Sequence, residues 1–223
     1  MHVEIWSDIA CPWCYIGKRR FEAALAQFEH RDEVRVTWRS FELDPEAPRV
    51  IEGDRAELLA AKYGTTVERA REMQQHVAEV AAGDGLEFHP DRARGGNTFD
   101  GHRLLHLAAE HGRQDALAER LMRAQQTDGE AIGDLETLQR LAVEAGLPAD
   151  EVADLLQGDR YAGAVRDDER TAMAFGIRGV PCFVADRTLG ASGAQPPEAL
   201  LDFLREAWQR TAAEREGRPA AAG

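Results

Sequence analysis

Two of the three cysteines, Cys11 and Cys14, stand in a C-x-x-C spacing. In disulfide exchange one thiolate attacks a substrate disulfide, and a second thiol nearby resolves the mixed disulfide that forms. Pro12 suits the first turn of a helix, where a missing N–H costs nothing, so we expect Cys11 at a helix N-terminus. Unpaired backbone N–H groups there favour the thiolate. The spacing predicts Cys11 as an exposed nucleophile and Cys14 as a resolving thiol set back against the helix.

Metal binding is the main alternative for a C-x-x-C pair. Structural zinc sites and iron–sulfur clusters need four ligands, and the only other cysteine is the isolated Cys182. His102 and His106 share one helix face, but Arg103 stands where a metalloprotease carries its glutamate. We therefore expect no metal and no cofactor. Cys182 is expected to be a small buried side chain at the start of a strand, with a third redox thiol as the alternative.

The elements around the cysteine pair follow from the hydrophobic pattern. Residues 3–8 alternate and predict a strand, and apolar residues at helical spacing then extend from Trp13 to Phe28. Residues 34–41 are β-branched, aromatic and alternating, which predicts a second strand parallel to the first. The chain therefore begins with a βαβ unit, and the C-x-x-C pair lies between its first strand and its helix.

A long helical block separates this unit from a second group of strands. Nearly every segment of residues 55–175 has helical periodicity. Residues 182–185 and 189–192 predict an antiparallel hairpin, and Pro197 begins a last amphipathic helix. A βαβ unit followed by ββα is the thioredoxin topology, which places a C-x-x-C pair where this chain has it. We predict an α/β, thioredoxin-like fold with a large all-helical insertion domain.

The predicted domain boundaries follow from the same pattern. Residues 1–50 and 165–210 form a discontinuous thioredoxin-like domain, and residues 51–164 form the helical insertion domain. Residues 211–223 are predicted to be a flexible tail, because the end of the chain lacks an apolar face.

Charge and composition restrict the partners. Lys and Arg number 27 against 40 Asp and Glu, a net charge of −13 that repels nucleic acid and anionic lipid. With 43% hydrophobic and 30% charged residues, the chain is expected to be globular and soluble, without a membrane span. Residues 1–8 contain two acids where a signal peptide has a basic region, so we expect a cytoplasmic protein.

Four motifs together resemble one family. They are Cys11-Pro12-Trp13-Cys14, the segment from Asn97 to Ala108, Gly179-Val180-Pro181, and Ser192-Gly193-Ala194-Gln195. Together they resemble the FrnE-type branch of the DsbA family of thiol-disulfide oxidoreductases, and the resemblance covers residues 2 to about 205.

The resemblance implies several substrate contacts. In the family the proline of the third motif is cis and stacks against the redox pair, and the backbone of the preceding residue binds an extended substrate. The helix that begins near Asn97 faces the cleft between the two domains. The substrate contacts implied or predicted are Pro12, Trp13, Val180, Pro181, Asn97 and His102.

The function that this resemblance implies is a cytosolic thiol-disulfide oxidoreductase. Its substrate would be a protein, a peptide or a low-molecular-weight thiol or disulfide, and a homodimer is left open. The Pro-Trp dipeptide departs from the Pro-His of the best-known periplasmic oxidant, so the redox potential is left open too. The alternative is a glutathione-dependent isomerase or transferase similar to 2-hydroxychromene-2-carboxylate isomerase or kappa-class glutathione transferase, which have a serine at the position of Cys11.

Overall fold

The computed structural model describes residues 1–216. Its strands are β1 (His2–Ser7), β2 (Arg35–Ser40), β3 (Cys182–Ala185) and β4 (Leu189–Ser192). Its helices are α1 (Pro12–Gln27), α2 (Arg55–Tyr63), α3 (Val67–Gly83), α4 (Phe99–Glu110), α5 (Gln114–Arg123), α6 (Leu135–Glu144), α7 (Ala149–Gln157), α8 (Ala162–Ala174) and α9 (Pro197–Glu216). None of these helices is both long and apolar enough to cross a membrane.

The four strands form one mixed sheet in the order β2-β1-β3-β4. β1 and β2 are parallel, and β3 runs antiparallel to both β1 and β4. The predicted βαβ unit and the predicted hairpin are both confirmed. β1 ends one residue before the predicted boundary, because the chain turns at Asp8, whose carbonyl accepts a hydrogen bond from the Cys11 N–H.

Helices cover both faces of the sheet. Val3 and Ile5 of β1 face α1 and α9, where Phe21 stacks on Phe183 with ring centroids 5.3 Å apart. The opposite face, carrying Trp6, packs against α8. Because β1 is central and covered on both sides, its charged residue Glu4 is buried as well. A buried carboxylate needs hydrogen-bond or ion-pair partners within the protein.

The helical segment shares its apolar core with the sheet. Leucines of α4, α5 and α6 belong to the same buried cluster as the residues of β1 and β3. α2 and α3 pack on each other around Ala56, Ala60 and Ala70, and Ala81 of α3 belongs to the main cluster. The predicted division into a sheet domain and an insertion domain stays a prediction.

The last helix extends beyond the predicted start of the tail at residue 211. α9 continues to Glu216, and Thr211 donates its hydroxyl to Asp186 at 2.7 Å. Residues 217–223 of the predicted tail lie outside the described residues.

Glu4 is the buried charge of β1. It accepts hydrogen bonds from Arg39 at 2.6 Å and from Arg187 at 2.8 Å, and Arg39 also reaches Asp168 at 3.1 Å. Burial raises the pKa of Glu4, but the hydrogen bonds from Arg187 and Arg39 outweigh burial and leave that pKa below its usual value. The ionised carboxylate therefore stabilises the fold.

We predict that Glu4→Gln lowers the free energy of unfolding at pH 7 by on the order of 3 kcal/mol. Because the folded-state pKa is lowered, the contribution is present above the unfolded-state value of about 4.3 and is lost as the pH falls through the folded value. Urea unfolding at pH 7 and at pH 3 measures the difference, with the exposed Glu52→Gln as control. An equal loss at both pH values would contradict this assignment.

Candidate active site

The cysteine pair lies at the carboxyl end of β1 and the start of α1. Cys11 is the N-cap residue of α1, Pro12 is its first helical residue, and Cys14 lies in its first turn. The Cys11 side chain does not cap the helix by a hydrogen bond. Its position beside the helix N-terminus, predicted from Pro12, is confirmed.

The two thiols differ in accessibility, although less than the sequence predicts. Cys14 is fully buried and Cys11 is 6% exposed, so Cys11 is far less open than expected. Its Sγ lies 3.8 Å from the carbonyl oxygen of Val180, which belongs to the loop before β3. The exposed member of the motif is Trp13, with 37% of its surface accessible. Pro12, between Cys11 and Trp13 in the chain, is half-buried.

The environment of Cys14 keeps its thiol protonated. The backbone N–H of Asp8 donates to Cys14 Sγ at 3.5 Å. Burial, and next the adjacent Cys11 thiol, raise the pKa of Cys14 well above its usual value, while the hydrogen bond from the Asp8 N–H opposes that rise only in part. A protonated, buried thiol beside a more accessible one suits the resolving position.

Asp8 holds the turn that carries both cysteines, and sequence reasoning missed it. Its buried carboxylate accepts the N–H of Ala10 at 3.2 Å and of Leu43 at 2.8 Å. Its carbonyl accepts the N–H of Cys11 at 3.1 Å. An acidic residue at the end of a buried strand, three residues before a C-x-x-C pair, is a signal from which such an anchor could have been predicted.

His102 and Asn97 contact residues other than Cys11. His102 is 1% exposed, and its Nε2 lies 3.6 Å from a carboxylate oxygen of Asp8. The Asn97 amide oxygen accepts the N–H of Phe99 at 2.9 Å, and its amide nitrogen donates to the carbonyl of Pro45 at 3.2 Å. Their predicted role as substrate contacts stays a prediction, since the structure brings neither side chain to Cys11.

Pro181 packs against α1 close to the pair. The Val180–Pro181 peptide bond is cis, as the family resemblance implies. Gly17, three residues after Cys14, lies so close to this proline that an added Cβ would stand 2.7 Å from Pro181 Cγ. The absence of a side chain at Gly17 therefore lets the Val180–Pro181 loop reach the start of α1.

Cys182 starts β3 as a buried thiol, as expected. It is 4% exposed, and its Sγ lies 3.8 Å from the hydroxyl oxygen of Ser192. Burial raises the pKa of Cys182, and the hydrogen bond with Ser192 opposes that rise only in part. It packs with Trp6 and Val184 on the α8 side of the sheet. A protonated, covered thiol is a poor nucleophile.

Comparison with known proteins matches residues 2–205 to a family described as DSBA-like thioredoxin domain. The chain is similar to the crystal structure of a probable DsbA oxidoreductase from Streptomyces coelicolor, with a TM-score of 0.90 and 49% identity. That match covers 94% of this chain and 90% of the other.

Two more distant structures share the fold. One is the cytosolic disulfide reductase DsbM from Pseudomonas aeruginosa with GSH, at 20% identity and a TM-score of 0.66, covering 94% of this chain and all of that one, 100%. The other is a 2-hydroxychromene-2-carboxylate isomerase, at 15% identity and a TM-score of 0.67, covering 97% of this chain and 98% of that one. At these identities the likeness concerns the fold alone.

We predict that iodoacetamide labels Cys11 before the other cysteines of the reduced protein at pH 7, by roughly tenfold or more. The reason is that burial raises the pKa of both Cys14 and Cys182, and Cys14 is fully covered. Peptide mapping by mass spectrometry after timed labelling gives the three rates. Faster labelling of Cys182 would show that the nucleophile is assigned incorrectly.

A second prediction concerns Gly17. Gly17→Ala places a methyl group against Pro181, so we expect a destabilisation of about 1–3 kcal/mol and slower exchange at Cys11. Gly163→Ala in the first turn of α8 is the control, because nothing lies within 4 Å of its added Cβ and alanine favours helix, which predicts a small gain in stability. Thermal unfolding measures the change in stability of both variants. A change of the same sign in the two would refute the close contact between Gly17 and Pro181.

Proposed function

The chain belongs to the family of DSBA-like thioredoxin domains, and from this premise we propose that it is a cytosolic thiol-disulfide oxidoreductase with Cys11 as nucleophile and Cys14 as resolving thiol. The observation that carries the proposal is the unequal pair at the start of α1. Cys11 is the more accessible thiol and lies at the helix N-terminus, whereas Cys14 is buried and protonated.

The proposed exchange has two balanced steps. The Cys11 thiolate attacks one sulfur of a substrate disulfide, the substrate S–S bond breaks, and one substrate thiolate leaves. Cys14 then loses its proton and attacks the Cys11 sulfur, which breaks the mixed disulfide and releases the second substrate thiolate. Two electrons pass from the protein dithiol to the substrate, and the reverse sequence oxidises a substrate dithiol.

The loop of Val180 and Pro181 is proposed to hold the substrate. The Val180 carbonyl lies 3.8 Å from Cys11 Sγ, so a chain bound along this backbone would carry its sulfur to the nucleophile. Pro12 and the exposed Trp13 complete the rim on the helix side. These contacts use backbone groups and an apolar surface, which suits protein, peptide and small disulfide substrates alike.

The site lies where the two proposed domains meet. Asp8 contacts Leu43 on the sheet side and His102 in the helical segment, and the Gln126 amide donates to the carbonyl of Ala10 at 3.2 Å. The cytosolic location is supported by the fold it shares with the cytosolic reductase DsbM. The net charge of −13 favours partners other than nucleic acid and membranes.

A glutathione-dependent isomerase or transferase is the second candidate. The shared fold with 2-hydroxychromene-2-carboxylate isomerase favours it, whereas a cysteine at position 11 favours redox chemistry. Cys11→Ser separates the two: an oxidoreductase loses disulfide exchange entirely, but an isomerase that uses a bound glutathione thiol keeps its activity.

We predict that Cys14→Ala accumulates a mixed disulfide between Cys11 and a cystine-containing peptide. Cys11 can still attack, but the resolving thiol is gone, so the adduct is stable until a reductant is added. Intact-mass spectrometry under non-reducing conditions measures the adduct. The Cys11→Ala, Cys14→Ala double variant is the control, and an adduct that persists in it would assign the reaction to Cys182.

A further inference from the structure

An open cleft borders the proposed substrate loop on the side away from α1. Its volume is about 720 Å³, which is enough for a small peptide or cofactor-sized molecule. One wall is the segment from Phe175 to Cys182, and the other is the hairpin from Val184 to Gly193. Val180 and Pro181 line it as well, so the cleft is continuous with the backbone next to Cys11.

The cleft is cationic, although the chain as a whole is acidic. Its lining within the described residues contains two arginines and no aspartate or glutamate, against a net charge of −13 for the chain. Arg187 is neutralised by Glu4 through hydrogen bonds of 2.8 and 3.1 Å. Arg178 is exposed and contacts no carboxylate or other acceptor in residues 1–216, which leaves one uncompensated positive charge in the cleft.

The backbone beside Arg178 adds free donors. The N–H groups of Arg178, Gly179 and Val180 find no acceptor within the part of the chain that the structure describes, whereas the neighbouring Ile177 N–H is bonded to Ala172. An added Cβ at Gly179 would meet nothing within 4 Å, so this stretch is open to a ligand. A guanidinium group and adjacent free N–H groups form a recognition surface for a carboxylate.

Its position in the chain keeps this surface within reach of a substrate on Cys11, because two residues span at most about 7 Å. Val180 O lies 3.8 Å from Cys11 Sγ, and Arg178 precedes Val180 by two residues, or about 7 Å of extended chain. When a substrate binds along the loop of Val180 and Pro181, a substrate group one or two residues from the reacting sulfur therefore lies near Arg178.

We propose that this cleft binds a carboxylate of the disulfide substrate through Arg178, so that the protein selects anionic peptide-sized disulfides over neutral ones. The inference rests on the proposed exchange function and names the substrate class of that same site. Arg178 is then a specificity-determining residue, because it contacts the charged end of the substrate and takes no part in bond exchange.

The test compares three disulfides as oxidants of the reduced protein. They are oxidised glutathione, its diester with both glycyl carboxylates blocked, and the small neutral bis(2-hydroxyethyl) disulfide. The second-order rate constant for loss of the Cys11 and Cys14 thiols is measured for each disulfide by acid quench, alkylation and mass spectrometry. Wild type, Arg178→Gln and Arg113→Gln are compared, since Arg113 is also exposed and unpartnered among the described residues but does not line the cleft.

For Arg178→Gln we expect the ratio of the glutathione rate to the neutral-disulfide rate to fall about five- to tenfold. The ratio for the glutathione diester should fall much less, because its two remaining γ-glutamyl carboxylates are each balanced by the adjacent ammonium group and the diester carries no net charge. Arg113→Gln should keep the wild-type ratios, and in wild type the preference for oxidised glutathione should weaken as salt is added.

If Arg178→Gln and wild type have the same ratio of the glutathione rate to the neutral-disulfide rate, the carboxylate site is overturned. It is also overturned if Arg113→Gln lowers that ratio as much as Arg178→Gln does, because the effect then comes from net charge alone. In both cases exchange with the neutral disulfide still supports the proposed function. A wild-type protein that reacts with none of the three disulfides would instead overturn the proposed function, and the carboxylate site with it.

Discussion

The buried residue Asp8 fixes both cysteines, and the geometry of the site depends on it. Its carboxylate accepts two backbone N–H groups, from Ala10 and Leu43, and its own backbone accepts from the Cys11 N–H and donates to Cys14 Sγ. A buried carboxylate is costly unless it is hydrogen-bonded, so these partners are required for folding as well as for placement. The same interactions end β1, begin α1 and set the two sulfurs at different depths.

A second buried charge holds α1 from the other side. Lys18 is 2% exposed and contacts Asp115 at 3.2 Å and Glu119 at 3.1 Å, both on α5, as well as Glu22 on its own helix. Burial lowers the pKa of Lys18, but Asp115 and the other carboxylates outweigh burial and leave that pKa raised. Since α1 is tied to the helical segment here and to Asp8 at its start, the redox pair is held in place before substrate arrives.

Local sequence patterns predicted the strands and the start of α1, whereas contacts between residues far apart in the chain determine how the site is packed. The alternation of apolar and polar residues predicted the strands, and Pro12 with the C-x-x-C spacing predicted where α1 begins. The low exposure of Cys11 could not be predicted, because the covering carbonyl of Val180 is 169 residues away. The Gly17 contact with Pro181 depends in the same way on how the hairpin packs against α1. His102, which the family resemblance places in the groove, lies beside Asp8, and its role as a substrate contact stays a prediction.

We propose that Cys11 and Cys14 form one reversible two-electron pair and that Cys182 takes no part in it. A redox titration of the wild-type protein, with each point quenched by acid, alkylated and mapped by mass spectrometry, tests it most directly. We expect a single two-electron transition in which Cys11 and Cys14 become linked with the loss of two hydrogens, and Cys182 stays a free thiol throughout. A disulfide that includes Cys182, or a Cys11 and Cys14 pair that never becomes linked at any potential, would contradict it.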